Sequence, residues 1–144
     1  IMSNKELILY SCDIIISELN DLRYNLNSLL TKSDSSITIE NMDDFSYKMI
    51  ISNQEYTIIN IIQAYICRYI IDDESYINLC GSKRTHPLEN TMLLIFSINK
   101  NKKTMEYGDR QKVDHLVNNV KEIVQKIEED FSIMKSKILQ LKKN

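Results

Sequence analysis

The sequence predicts an α+β protein in which long N- and C-terminal helices with heptad seams flank a middle of two β-hairpins and a buried helix. Three observations support this prediction. Apolar residues recur at alternating steps of three and four near both ends, two stretches between them alternate apolar and polar residues, and one central segment is apolar on nearly every side. The 144 residues fit one domain, with a helix at 5–31, an α/β middle at 32–110 and a helix at 111–143 that could form a coiled coil.

The two ends carry the heptad seams. The apolar positions of the N-terminal seam are Ile8, Cys12, Ile15, Leu19, Leu22, Leu26 and Leu29. Those of the C-terminal seam are Val113, Val117, Val120, Val124, Ile127, Phe131, Met134, Ile138 and Leu141. The second seam runs for about four heptads, which is long enough to indicate a coiled coil. An amphipathic helix on a globular core has a similar pattern with a wider stripe, so both structures remain open.

The C-terminal helix changes character along its length. Its apolar stripe is wide at first because Leu116 and Ile123 flank the seam. Further along, Asp130 and Lys137 take the flanking positions and the stripe narrows. We therefore expect the first half to lie against the domain and the second half to meet another helix. That helix is either the N-terminal helix of the same chain or a helix of a partner subunit.

The middle of the chain contains strand and helix patterns. Period-two alternation at 36–39 and again at 47–50, with the polar run Asn41–Asp44 between them, predicts a β-hairpin. Residues 54–71 are apolar on nearly every side and predict a buried helix, although their β-branched content leaves a strand open. Residues 72–87 read as the main loop. Residues 90–110 predict a second hairpin with its turn at Asn99–Lys103.

Composition and charge limit the function. Hydrophobic residues make up 43% of the chain and charged residues 26%, which is typical of a folded globular protein. Eighteen basic residues against twenty acidic ones give a net charge of −2, which argues against a protein that coats nucleic acid. Two Gly and one Pro leave little room for a phosphate-binding glycine loop. The abundance of Ile, Lys and Asn is typical of AT-rich coding sequence and indicates a low-GC bacterium, a protist, a virus or a mobile element.

Localisation follows from what the sequence lacks. It has no signal-peptide pattern, and no apolar stretch reaches the roughly 18 residues that a membrane span needs. Cys12, Cys67 and Cys80 are an odd number without CxxC spacing, which argues against a disulfide framework. We expect a cytoplasmic protein, or a protein of the host cytoplasm or nucleus for a viral source, without membrane association.

One pair of residues matches a catalytic pattern. Arg110 and His115 resemble the R-x4-6-H signature of the HEPN superfamily, small helical domains many of which are metal-independent RNases. The resemblance covers six residues. It implies an Arg that steadies the phosphate and a His that acts in acid–base transfer, both on one face of a helix. A small RNase of this type is therefore an alternative function.

Two further groups of residues could bind ligands. Cys67, Cys80 and His86 lack the tight pairs and the fourth ligand that a zinc site needs, so we expect no metal and no cofactor. Basic side chains in the loop and in the second hairpin turn could converge into an anion-binding patch. They are Lys83, Arg84, Lys100, Lys102 and Lys103. A nucleic-acid-binding module that uses these basic loops is a second alternative.

The heptad seams are the strongest signal, and they favour binding over catalysis. We expect a non-enzymatic protein–protein interaction or assembly protein that acts as a homodimer or in a small complex. Immunity proteins, antitoxins and viral or phage proteins that block a host factor are examples of this class. The residues expected to bind the partner form the distal half of the C-terminal seam. They are Phe131, Met134, Ile138 and Leu141.

Overall fold

A computed structural model describes residues 3–30, 37–43, 45–52, 54, 56–71, 76–84 and 91–141. The elements are α1 (Asn4–Leu30), β1 (Ile37–Asp43), β2 (Ser46–Ser52), α2 (Tyr56–Tyr69), β3 (Ile77–Arg84), β4 (Thr91–Ile98), α3 (Lys102–Met105) and α4 (Asp109–Leu139). Long terminal helices flank a middle helix and two β-hairpins, as the sequence predicted, so the α+β class is confirmed.

The two hairpins form one antiparallel sheet of four strands in the order β1-β2-β4-β3. The central strands alternate strictly between buried and half-buried residues. Their buried side chains are Tyr47, Met49, Ile51, Met92, Leu94, Phe96 and Ile98. These side chains share one cluster with buried residues of α1, α2 and α4, so the helices cover one face of the sheet.

The second hairpin differs from the prediction. Its turn was placed at Asn99–Lys103, but β4 pairs with β3, which precedes it in the chain and was read as a loop. An edge strand needs few core contacts, and in β3 only Ile77 and Cys80 are buried, so the strand lacks an alternating pattern. After β4 the chain makes the short helix α3. There the Thr104 hydroxyl donates to the Asn99 carbonyl at 2.7 Å.

The central apolar segment is a helix, so the alternative of a strand was wrong. In α2, Ile58, Ile59, Ile62 and Ile66 are buried at the helical spacing that places them on one side. This side packs on β3, β4 and α4. The β-branched content of the segment did not prevent the helix, because burial of four Ile side chains outweighs a propensity difference of less than about 1 kcal/mol per residue.

The terminal helices pack against each other in antiparallel orientation. Near the middle of the pair, the Arg23 guanidinium lies 3.3 Å from the Glu128 carboxylate. About two helical turns further along α4, Lys135 forms an ion pair with Asp13. At the tip, the Lys5 ammonium donates to the carbonyl of Leu141 at 3.1 Å. The helix that meets the second half of α4 is therefore α1 of the same chain.

Candidate protein interface on the terminal helices

The distal end of α4 extends beyond the core. A column of residues spaced seven apart along one side of the helix shows where the core ends. Val120 and Ile127 are 1% and 0% exposed, whereas Met134 and Leu141, at the equivalent positions of the next two heptads, are 40% and 63% exposed. Residues seven apart lie on nearly the same side of a helix. The side that faces the core in the first half of α4 therefore remains apolar after the core has ended.

Helix α1 also changes from buried to exposed apolar residues, in this case toward its N-terminus. Leu22 is buried, Ile15 is half-buried against the core, and Ile8 is 48% exposed. The inner ends of the α1 and α4 columns, Leu22 and Ile127, belong to one core cluster, so both columns lie on the same side of the helix pair. We name the exposed outer surface the distal patch. It consists of Ile8, Ile133, Met134, Ile138 and Leu141.

Part of the distal patch forms a groove of about 370 Å³ on α4. The groove is lined by Asp130, Ile133, Met134, Lys137, Ile138 and Leu141. These positions are spaced by three and four residues and therefore form one continuous face of the helix. Two opposite charges, Asp130 and Lys137, stand seven residues apart within this otherwise apolar lining. The groove can accommodate an apolar helix face with charges of its own.

The groove ends at α2, where Asp130 is held in place. The Tyr65 hydroxyl donates to the Asp130 carboxylate at 3.0 Å, and the Lys126 ammonium lies 3.6 Å from the same oxygen. Burial, together with the neighbouring Asp130 charge, raises the pKa of Tyr65 to about 12. Lys126 also lies 4.6 Å from the ring centroid of Tyr69, a side chain that is half exposed. A cluster of aromatic and charged groups thus borders the inner end of the distal patch.

The four partner-binding residues predicted from sequence differ in accessibility. Met134 and Leu141 are exposed and Ile138 is half-buried in the groove, so these three lie on the distal patch. Phe131 packs against the core cluster instead. Ile133 was missed because it falls outside the heptad seam. Only the position at which the core ends shows that its side of α4 is uncovered.

A partly buried ion pair between Arg23 and Glu128 joins α1 to α4 below the distal patch. Burial raises the pKa of Glu128, and the Arg23 guanidinium partly offsets this effect. The Glu128 side chain is only 13% exposed, and the Arg23 guanidinium offsets part of the cost of burying its charge. Together with the Lys135–Asp13 ion pair and the Lys5 contact with the Leu141 carbonyl, this contact joins the two helices along their length.

The Arg110 and His115 pair of the HEPN resemblance lies at the other end of α4. Both residues are exposed. They are five positions apart, which on an α-helix separates their directions by about 140°, so they do not share one face as the resemblance implied. The His115 ring stacks on Tyr107 at 4.8 Å and contacts Tyr76 at 5.4 Å. The chain also contains a four-stranded sheet, which an all-helical HEPN domain lacks.

Among the described basic side chains, Arg84 and Lys100 do not converge into one patch. Arg84 pairs with Met92 at the start of β4, whereas Lys100 follows the end of that strand. Six residue steps of β4 separate Met92 from Ile98, a distance of about 20 Å, and Lys100 lies two residues beyond Ile98. Arg84 lies over the Tyr56 ring and Lys100 over the Phe45 ring, at 5.5 and 5.0 Å. The side chains of Lys102 and Lys103 lie outside the described residues.

The two cysteines considered for a metal site differ in burial. Cys80 is buried under α2, where its carbonyl oxygen lies 3.7 Å from the exposed Cys67 thiol. His86, the third residue considered for a metal site, lies outside the described residues. Across the described ranges, no three His, Cys, Asp or Glu side chains form a group that could hold a metal ion.

Burial of Cys80 gives the fold a testable pH dependence. Desolvation raises the pKa of its thiol from 9.0 to about 12. The unfolded chain therefore loses this proton first, and stability falls as pH rises above 9, by at most about 1.4 kcal/mol per pH unit for one proton. Urea unfolding at pH 8 and pH 10 should show a smaller loss for Cys80→Ala than for wild type. Equal losses in wild type and Cys80→Ala would contradict this assignment.

No described helix combines the length and the apolar character that crossing a bilayer requires. No protein-family model matches the sequence, and no curated protein matches it either.

Proposed function

We propose that this chain is a non-enzymatic interaction protein that binds a protein partner through the distal patch. The observation that carries the proposal is the α4 column that runs from Val120 and Ile127, both buried, to Met134 and Leu141, both exposed. The outer half of this column could be polar without harming the core, yet it is apolar. Contact with another protein gives an apolar side chain at these positions a physical role.

The size of the distal patch is consistent with such a role. From Asp130 to Leu141 the helix extends about 17 Å, and two packed helices are about 20 Å wide. The resulting surface of roughly 350 Å² is comparable to the largest apolar patch on a typical monomer, which is often functional. Tyr69, at the inner end of the distal patch, is of a residue type enriched at interfaces.

The proposal covers several biological roles. Immunity proteins, antitoxins and viral or phage proteins that block a host factor all act by binding and masking another protein. A helical projection with an apolar face suits this mode of action, because such a face can enter a groove or join a helix bundle.

Site-specific photo-crosslinking tests the proposal. A photoreactive phenylalanine analogue at position 134 should give protein adducts in cells that contain the chain, because the side chain there lies within the proposed contact. The same analogue at position 118, an exposed site on α4 away from the distal patch, is the matched control. Mass spectrometry of the adducts then identifies the partner.

The pattern of adducts decides the outcome. Adducts at position 134 and none at position 118 would support the proposal. Equal labelling at both positions, or no adduct at either, would contradict it. Each variant must first show the far-UV circular dichroism of the wild type, so that exposed core is not mistaken for an interface.

A further inference from the structure

We infer that the partner of the distal patch is a second copy of this chain, whose α4 packs antiparallel on α4 around a two-fold axis. This inference rests on the proposed function and names its partner. It is carried by the order of charges in the groove, where Asp130 and Lys137 flank Ile133 and Met134.

The groove is complementary to itself. When two copies of α4 run antiparallel with the axis between positions 133 and 134, Asp130 of each chain faces Lys137 of the other. Ile133 then faces Met134 at the centre, so apolar side chains meet apolar side chains and each charge meets its opposite. A two-fold interface requires that one surface match itself, and this sequence of four lining residues meets the requirement.

The ends of the groove fit the same arrangement. In this register Leu141 of one chain lies level with Lys126 of the other, beside Tyr69 at the end of α2. Leu141 and Tyr69 are both at least half exposed in the single chain, and pairing would cover both. The projecting helices of each copy would thus lie along those of the other, and each tip would stop at the other's α2.

Asp130 can serve both its own chain and the second copy. A carboxylate accepts several hydrogen bonds, and the contacts from Tyr65 and Lys126 converge on one oxygen, Oδ2. The second oxygen can accept the Lys137 ammonium of the other chain. Because Tyr65 and Lys126 already hold the carboxylate in place, forming this ion pair costs less side-chain conformational entropy than pairing two mobile groups.

Charge reversal tests the inference by sedimentation velocity over a range of concentrations. Wild type should dimerise, and Lys137→Glu should weaken dimerisation at least about tenfold because two like-charge pairs replace two opposite ones. Asp130→Lys should weaken it as well. An equimolar mixture of the two variants should restore a heterodimer, since the two introduced charges then face each other and the native Lys137 faces the native Asp130. Lys121→Glu, on another face of α4, is the control of equal charge change.

The outcomes separate this inference from the proposed function. A dimer lost in each single variant and regained in the mixture would support the second copy as partner. A monomeric wild type at all concentrations, or a mixture that stays monomeric, would overturn it. A monomer that still gives photo-adducts with a different protein at position 134 would leave the proposed function standing while removing the second copy. Circular dichroism of each variant confirms that the monomers are folded.

Discussion

Replacing Val124 by Asp should abolish stable folding, whereas the same change at Met134 should leave the protein folded. Val124 is fully buried at the α1–α4 contact, so an unpaired carboxylate there should cost more than about 4 kcal/mol, most of the stability of a typical domain. Met134 belongs to the same seam ten residues later and is 40% exposed in the single chain, so its charge stays in water in the monomer. At a protein concentration that keeps the chain monomeric, we expect Met134→Asp to change the free energy of unfolding by less than about 1 kcal/mol.

Urea unfolding followed by far-UV circular dichroism measures both variants. The comparison is sharp because the two residues share one helix and one heptad seam and differ in what covers them. Unfolding of both variants would mean that the distal end of α4 is packed as tightly as its first half. A folded Val124→Asp protein would mean that the seam between the terminal helices does not hold the core together.

The second large effect is expected in the central strand β4. Phe96 is fully buried under the helices, and Phe96→Ala should lower the free energy of unfolding by about 3–5 kcal/mol through lost burial and the cavity left behind. Ile95 is the next residue and points to the opposite face of the sheet, where it is half-buried. Ile95→Ala should therefore cost only about 1 kcal/mol.

Equilibrium urea titrations of the two alanine variants test which face of the sheet is covered. A large difference between them would agree with helices on one face only. Similar losses would show that the face carrying Ile95 is also covered in solution. The slope of the transition should stay unchanged in both variants, because neither substitution alters the surface exposed on unfolding by much.

The terminal helices and the first hairpin could be predicted from sequence because their signals are local. The seam from Val113 to Leu141 and the alternation around Tyr47 depend only on the period at which side chains repeat along one element. The helix at α2 was also predicted, although its Ile-rich composition left a strand open. Its length, beyond what most strands reach, was the better guide.

The second hairpin could not be predicted because its edge strand carries little local signal. Strand β3 buries only Ile77 and Cys80 and takes its position from hydrogen bonds to β4. Backbone hydrogen bonding between strands distant in sequence leaves no period in the residues themselves. The candidate site was predicted only in part, because Met134, Ile138 and Leu141 follow the heptad seam whereas Ile133 does not.

The sequence by itself determined the elements with a strong period, namely the two terminal helices, the first hairpin and the buried central helix, because periodicity reports which side of an element is apolar. Only the tertiary structure decided what covers each side. It packed α1 along α4, separated Lys100 from Arg84 by the length of β4, and ended the core before Met134. The apolar repeat in the sequence is the same whether or not other segments cover the side chains. The exposure of each side chain therefore depends on how distant segments pack.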